Sequence, residues 1–131
     1  MKVFSSKSQN TGKIGEDIAV RYLENKGFKV VERNHTKPWG EIDIIAKKKD
    51  ILHLIEVKSV SAPDLDIDKL SIRPEENLHG QKIERLRRIV ATYLGDKRFS
   101  EKSKWQFDLV CVYMDDINKK AKVVTFDNII L

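Results

Sequence analysis

Apolar positions recur along the chain with two different periods, and the switches between them outline its elements. Ile14, Ile18, Ala19, Tyr22 and Leu23 fall on one face at helical spacing. They predict a helix over about Gly12–Lys26, after a loose arm at residues 1–11 and before Gly27 in the position of a C-terminal cap. Glu16 lies at the margin of the apolar face, and Asp17 points to the opposite side. Three runs with strand character follow: Phe28–Arg33, Glu41–Lys47 and Ile51–Val60. Their links are short and polar, the first holding Pro38 and Gly40, which favours an antiparallel meander. Residues 59–78 hold Pro63, Pro74 and many acids and read as a long mobile loop. A second helix starts at about Glu75 or Gly80 and ends at Leu94, before Gly95. It carries the stripe Leu86, Ile89 and Tyr93, joined by Ile83 and Val90. Two more strands, Trp105–Met114 and about Ala121–Phe126, flank the turn Asp115–Lys120. The order is α-β-β-β-α-β-β. The second helix is a crossover, so the strands on either side of it should run parallel if adjacent. The expected fold is α/β, a mixed sheet flanked by helices in one domain spanning residues 1–131.

Composition narrows the class. With 40% hydrophobic and 34% charged residues, the chain is too apolar for a disordered segment. No apolar run approaches the roughly 20 residues that span a bilayer, and Met1–Asn10 has no apolar core of a secretory signal. The single cysteine, Cys111, excludes an internal disulfide and a cysteine zinc cluster, which points to a reducing cytoplasm. His35, His53 and His79 lack metal-ligand spacing. The net charge is +5, and the charge is uneven. Lys82–Lys104 holds eight Lys/Arg against three acids, whereas Ser59–Glu76 holds five acids against two bases. Such a basic stretch is either a solvated helix face or a surface for a polyanion.

The candidate chemistry lies in the second and third strands. Side chains alternate across a strand, so Glu41, Asp43 and Ile45 should share one face, with Ile42, Ile44 and Ala46 on the other. In the next strand Leu52, Leu54, Glu56 and Lys58 should share a face. A carboxylate and an amine thus follow two leucines, and buried charges need partners. Antiparallel pairing can set Asp43 beside Glu56, where mutual repulsion raises a pKa. A hard divalent cation, Mg²⁺ (or Mn²⁺), would relieve it, with Asp43, Glu56 and a backbone carbonyl, that of Val57, as ligands. Lys58 would stand beside it, to orient or deprotonate a water or to stabilise charge on a phosphate. The spacing leaves a second reading open, a structural ion-pair network of the same three residues. Lys82 heads the stripe of the second helix and points to the sheet. It either covers apolar surface with its stem or contacts a phosphate or carboxylate at the site. Arg85 and Arg88 lie off the stripe, either solvated or placed to meet a phosphate backbone. Trp39 either packs as a hinge or stacks on a base.

Glu41-Ile42-Asp43-Ile44-Ile45-Ala46 followed by Ile55-Glu56-Val57-Lys58 resembles the PD-(D/E)XK nuclease superfamily. More closely, the chain resembles the YraN-like family of small uncharacterised bacterial proteins. The likeness extends through Gly12, Gly15-Glu16, Ala19, Tyr22-Leu23 and Gly27-Phe28, and resumes at Lys82, Leu86, Arg88, Tyr93-Leu94 and Phe107-Asp108-Leu109-Val110. Residues 34–39 depart from it in lacking an arginine-rich look. The resemblance implies a restriction-endonuclease-like fold and a metal-dependent nuclease core. It makes Asp43 and Glu56 the metal-binding acids, Lys58 the catalytic lysine and Glu16 an acid that approaches the site from the first helix. The substrate it implies is nucleic acid, DNA first and branched structures among the candidates, with a homodimer as a candidate assembly; the candidate contacts to it, Lys82, Arg85 and Arg88, come from the basic helix itself. Two other readings stand beside it: a non-catalytic nucleic-acid-binding module, and a protein-interaction adaptor using the basic helix.

Overall fold

The computed structural model describes residues 7–66, 80–97 and 103–131. In chain order these form α1 (Lys7–Asn25), β1 (Lys29–Lys37), β2 (Gly40–Lys48), β3 (Ile51–Ser61), a 3₁₀ turn (Pro63–Leu65), α2 (Gly80–Asp96), β4 (Lys104–Asp115) and β5 (Lys120–Phe126). The strands make one five-stranded sheet in the order β1-β2-β3-β4-β5. β1, β2 and β3 form the expected antiparallel meander. β3 and β4 are parallel across the crossover that contains α2, in register from Ile51↔Lys104 to Ser61↔Met114, and β5 returns antiparallel.

The two helices cover opposite faces of the sheet. On one, Ala19 and Leu23 of α1 pack with Ile44, Ala46, Ile55, Val110, Val112 and Met114. On the other, Leu86, Ile89, Val90 and Tyr93 of α2 pack with Ile42, Ile45, Leu52, Leu54 and Phe107. β4 is buried from Phe107 to Asp115, and β3 from Leu52 to Ile55, where helices and neighbouring strands cover both sides and the sequence is mostly apolar. A third cluster, Val60, Ala62, Leu109, Cys111 and Tyr113, confirms Cys111 as a core residue.

Several boundaries differ from those read in the sequence. α1 starts at Lys7, so residues 7–11 are helical and do not belong to a loose arm. The apolar stripe begins later, but propagation adds one hydrogen bond per residue fixed, and the helix extends past the stripe. At its other end Phe28 N–H donates to the Leu23 carbonyl and Gly27 N–H to that of Glu24, with Gly27 at φ +93°, so Gly27 is the αL cap. β3 runs to Ser61 and the 3₁₀ turn follows, so the expected loop starts later than residue 59. The rest of that loop, residues 67–79, lies outside the described residues, as do the helix start expected at Glu75 and His79.

Gly15 sets the approach of α1 to the sheet. A Cβ there would collide with the side chain of Ser59 on β3. This close packing brings the first turns of α1 against the C-terminal half of β3, which carries the Glu56-Val57-Lys58 run.

Candidate active site

The site arises where β2 and β3 part. Their ladder ends at Ile44↔Ile55. One residue further along, Asp43 Oδ2 accepts the Val57 N–H at 2.8 Å. A side-chain carboxylate thus takes the place of a strand carbonyl, and the two strands open around it. The opening also breaks side-chain alternation. Ile42 lies in the α2 cluster with Ile45, while Ile44 and Ala46 lie in the α1 cluster. The simple expectation that Ile42 shares a face with Ile44 therefore fails past the point where β2 loses its β3 partner, although Ile42 stays paired with His35 of β1.

A cleft of about 740 Å³ fills the opening. Glu16 from α1, Glu41 and Asp43 from β2, and Glu56, Val57, Lys58, Ser59 and Ser61 from β3 are among its lining residues. The structure thus brings Glu16, Asp43, Glu56 and Lys58 to one place. Asp43 is half-buried, and burial pushes its carboxyl up to about 7. The Val57 N–H opposes that shift, and the charges of Glu56, Glu41 and Glu16 reinforce it. Glu56 is the other strained acid. Its Oε2 is buried and accepts no hydrogen bond among the described residues. Lys82 Nζ of α2 lies 3.4 Å from that oxygen, an ion-pair contact without hydrogen-bond alignment. Lys58 is half-buried in the cleft wall, and its ammonium enters no ion pair with a described residue.

Glu16 is held from β1. Its Oε1 accepts Arg33 Nε at 3.0 Å and Asn34 Nδ2 at 3.1 Å. The same guanidinium donates to Asp17 Oδ1 at 2.7 Å and, with the helix charges, holds Asp17 below the usual carboxylate range. Asp17, expected on the side opposite the apolar stripe, stays partly exposed there and is nonetheless tied to β1 because the long arginine reaches both acids. Sequence reasoning did not find Arg33 or Asn34. In the structure the register Arg33↔Ile44 and His35↔Ile42 puts Asn34 opposite Asp43, and Asn34 carries φ +53°.

The three basic residues singled out on α2 follow the other side of Glu56. Lys82 and Arg85 line a second cleft with Gly40, Glu41 and Glu56. Arg85 continues into a third with Lys37 and Trp39. Arg88 places its guanidinium 4.5 Å from the centre of the Trp39 ring, and Trp39 packs against the α2 cluster. Arg85 and Arg88, set apart from Lys82 in the sequence reading, thus join it along one side of the helix, ending at the β1–β2 hairpin.

A hard divalent cation suits this donor set. The cleft offers oxygen ligands, one raised carboxyl and one buried carboxylate oxygen without a hydrogen bond, while Val57, whose carbonyl is the third ligand expected, lines the same wall. Among the described residues no group of three or more His, Cys, Asp or Glu side chains is arranged to hold a metal, so the protein would supply two carboxylates and a carbonyl. One other buried pair makes packing and hydrogen-bond contacts away from the cleft. His53 Nδ1 and Asp108 Oδ2 pair at 2.6 Å on the α1 face, both buried, with Gln106 and the Asn128 N–H on the second Asp108 oxygen. No described helix is long and apolar enough to cross a membrane.

A family model described as Uncharacterised protein family UPF0102 matches residues 15–112. A UPF0102 protein of Campylobacter lari is 43% identical over 103 residues, 79% of this chain and 83% of the relative. One from Moorella thermoacetica is 37% identical over 112 residues, 86% and 88% of the two chains. One from Dictyoglomus thermophilum is 33% identical over 123 residues, 94% and 96% of the two chains.

Proposed function

The chain belongs to the UPF0102 family, and from the cleft between its parted strands we propose that it is a metal-dependent endonuclease of the PD-(D/E)XK kind, hydrolysing phosphodiester bonds in DNA. One observation carries this reading. Asp43 closes the β2–β3 ladder on the Val57 N–H, next to a Glu56 oxygen that has no hydrogen bond, with Lys58 in the same wall. A purely structural network would tie Lys58 to one of these acids, and among the described residues it is tied to neither.

Asp43, Glu56 and the Val57 carbonyl are the residues to hold the cation. Bound there, a divalent cation would neutralise both acids and polarise the scissile phosphate. Lys58 sets an ammonium against the charge that builds on the phosphate oxygens. Glu16 contributes a carboxylate fixed by Arg33 and Asn34, with Oε2 outside that network. Lys82, Arg85 and Arg88 offer cations for the phosphates of the strand beyond the cleft.

The test is a cleavage assay with Mg²⁺ or Mn²⁺ on duplex, flap and four-way-junction DNA. The parent should cleave at least one of these. Lys58→Ala should keep cation binding and lose about 100-fold or more in rate, as removal of one transition-state donor does. No cleavage of any substrate, with cation binding intact, would leave the second reading, a nucleic-acid-binding module that retains the fold. The absence of a three-residue metal group among the described residues is the observation that favours it.

A further inference from the structure

Lys82 occupies a position that the nuclease reading alone does not explain. It reaches across from α2 to Glu56, whose buried Oε2 accepts no hydrogen bond among the described residues. The contact is 3.4 Å long and is not aligned as a hydrogen bond, so charge holds it rather than directional bonding. The Lys82 side chain is 43% exposed, against 18% for Glu56, so the lysine end is the end free to leave. Leu86 and Ile89 anchor α2 to the sheet, and the flexible four-carbon stem of Lys82 can move without the helix. Glu56 borders both the first cleft, with Asp43 and Lys58, and the second, with Lys82 and Arg85. It therefore stands between a place for a cation and a place for a phosphate.

We infer that Lys82 is an exchange residue: without a divalent cation its ammonium neutralises Glu56, and when a cation takes Glu56 the ammonium swings into the second cleft and binds a nucleic-acid phosphate. This rests on the reading of Asp43 and Glu56 as cation ligands. Its consequence is coupling. Cation binding releases a phosphate contact, so cation and nucleic acid favour each other's binding. The two cannot be independent, because one lysine cannot serve both Glu56 and a phosphate.

Three measurements on the full chain test this, with Ca²⁺ as the probe cation. Acetylation by an N-hydroxysuccinimide ester, followed by mass spectrometry, reports whether Lys82 is engaged. Its labelling should rise severalfold when Ca²⁺ is added, while Lys97 and Lys104 stay unchanged. Calorimetric titration should show Lys82→Met binding Ca²⁺ about two- to fivefold more tightly than the parent, the range a partly exposed ion pair supports. Arg87→Gln, on the same helix but paired with Glu84 and absent from the lining of both clefts, should bind Ca²⁺ like the parent, which separates exchange at Glu56 from a general loss of positive charge. Finally, the salt slope of DNA binding should steepen by about 0.9 on replacing EDTA with Ca²⁺ in the parent, one phosphate contact, and should not change in Lys82→Met.

If the parent binds Ca²⁺, Asp43→Asn does not, and Lys82 labelling stays unchanged, the exchange is wrong and the metal site survives. If the parent takes up no cation at all, both readings fall. Equal Ca²⁺ affinities for Lys82→Met and Arg87→Gln, or equal salt slopes in the parent, also overturn the exchange. Should Lys82→Met not fold, the labelling of the parent decides alone.

Discussion

Replacing Asp43 with asparagine changes the charge of the cleft while nearly preserving its shape, and its effect on stability should depend on pH in a defined direction. In the folded protein, burial first and the Glu56, Glu41 and Glu16 charges after it raise the Asp43 carboxyl from 3.8 to about 7, against the pull of the Val57 N–H. Unfolding returns the group to near 3.8. Between these values the folded state holds the proton and the unfolded state has lost it. The stability that Asp43 contributes is thus fully present below about pH 4, declines as pH rises, and is gone above about pH 7. A gap of about three units corresponds to about 4 kcal/mol. Solvent screening at a group that is only half-buried brings the working figure to about 2–3 kcal/mol.

Asparagine has no proton to lose, and its Oδ1 can still accept the Val57 N–H. Asp43→Asn and the parent should therefore be close in stability at pH 4 in EDTA, with the variant already ahead by about 1 kcal/mol at pH 5. At pH 8 the variant should be more stable by about 2–3 kcal/mol, or about 8 °C in Tm for a domain of this size. Thermal denaturation at pH 4, 5, 6, 7 and 8 measures this. The variant-minus-parent difference removes the contribution of groups that titrate alike in both. A difference that does not vary with pH, or a variant that is less stable at pH 8, would refute the assignment of Asp43 as a raised, buried acid. A structural ion-pair network predicts that refuting result.

Adding Mg²⁺ or Mn²⁺ at about 100 times its Kd should stabilise the parent by about 2.7 kcal/mol and leave Asp43→Asn unmoved; a parent whose Tm ignores both ions has no metal site. Gly15→Ala should cost about 1–3 kcal/mol in urea unfolding, because the new methyl meets Ser59, and Ser59→Gly should restore most of it; no loss would mean that α1 sits farther from β3. His53→Ala should cost on the order of 3 kcal/mol by leaving Asp108 buried without its ring partner, yet leave the affinity for divalent cations within about twofold. A large change in cation affinity would contradict a purely structural role for the pair.

The sheet was legible because its strands obey local rules. Ile51–Ser61 and Lys104–Asp115 are long and carry apolar runs of β-branched, aromatic and leucine residues, and the crossover between them fixes their parallel pairing. Alternation placed Glu56 and Lys58 on one wall. It failed for Ile42, because alternation assumes a continuous ladder and this ladder stops at Ile44. Nothing local to Asp43 announces that its carboxylate will receive the N–H of a residue fourteen positions away. Arg33 and Asn34 were missed for the same reason, since their partner Glu16 lies on another element.

The cause of the Asp43 shift shows where sequence reasoning is incomplete. Repulsion from Glu56 was the effect the spacing suggested, and it operates in the expected direction. Burial contributes more, and burial follows from the way α1, anchored through Gly15, closes over the parted strands. The difference has a chemical consequence. Were repulsion the main cause, neutralising Glu56 would return Asp43 to an ordinary carboxylate, and Lys82 already stands 3.4 Å from Glu56 to do so. Because burial leads, Asp43 stays raised with that lysine in place. Beyond the Val57 N–H it accepts, the Asp43 carboxylate that links β2 to β3 is satisfied by a proton below about pH 7, and in the proposed reading a divalent cation would take that place above it.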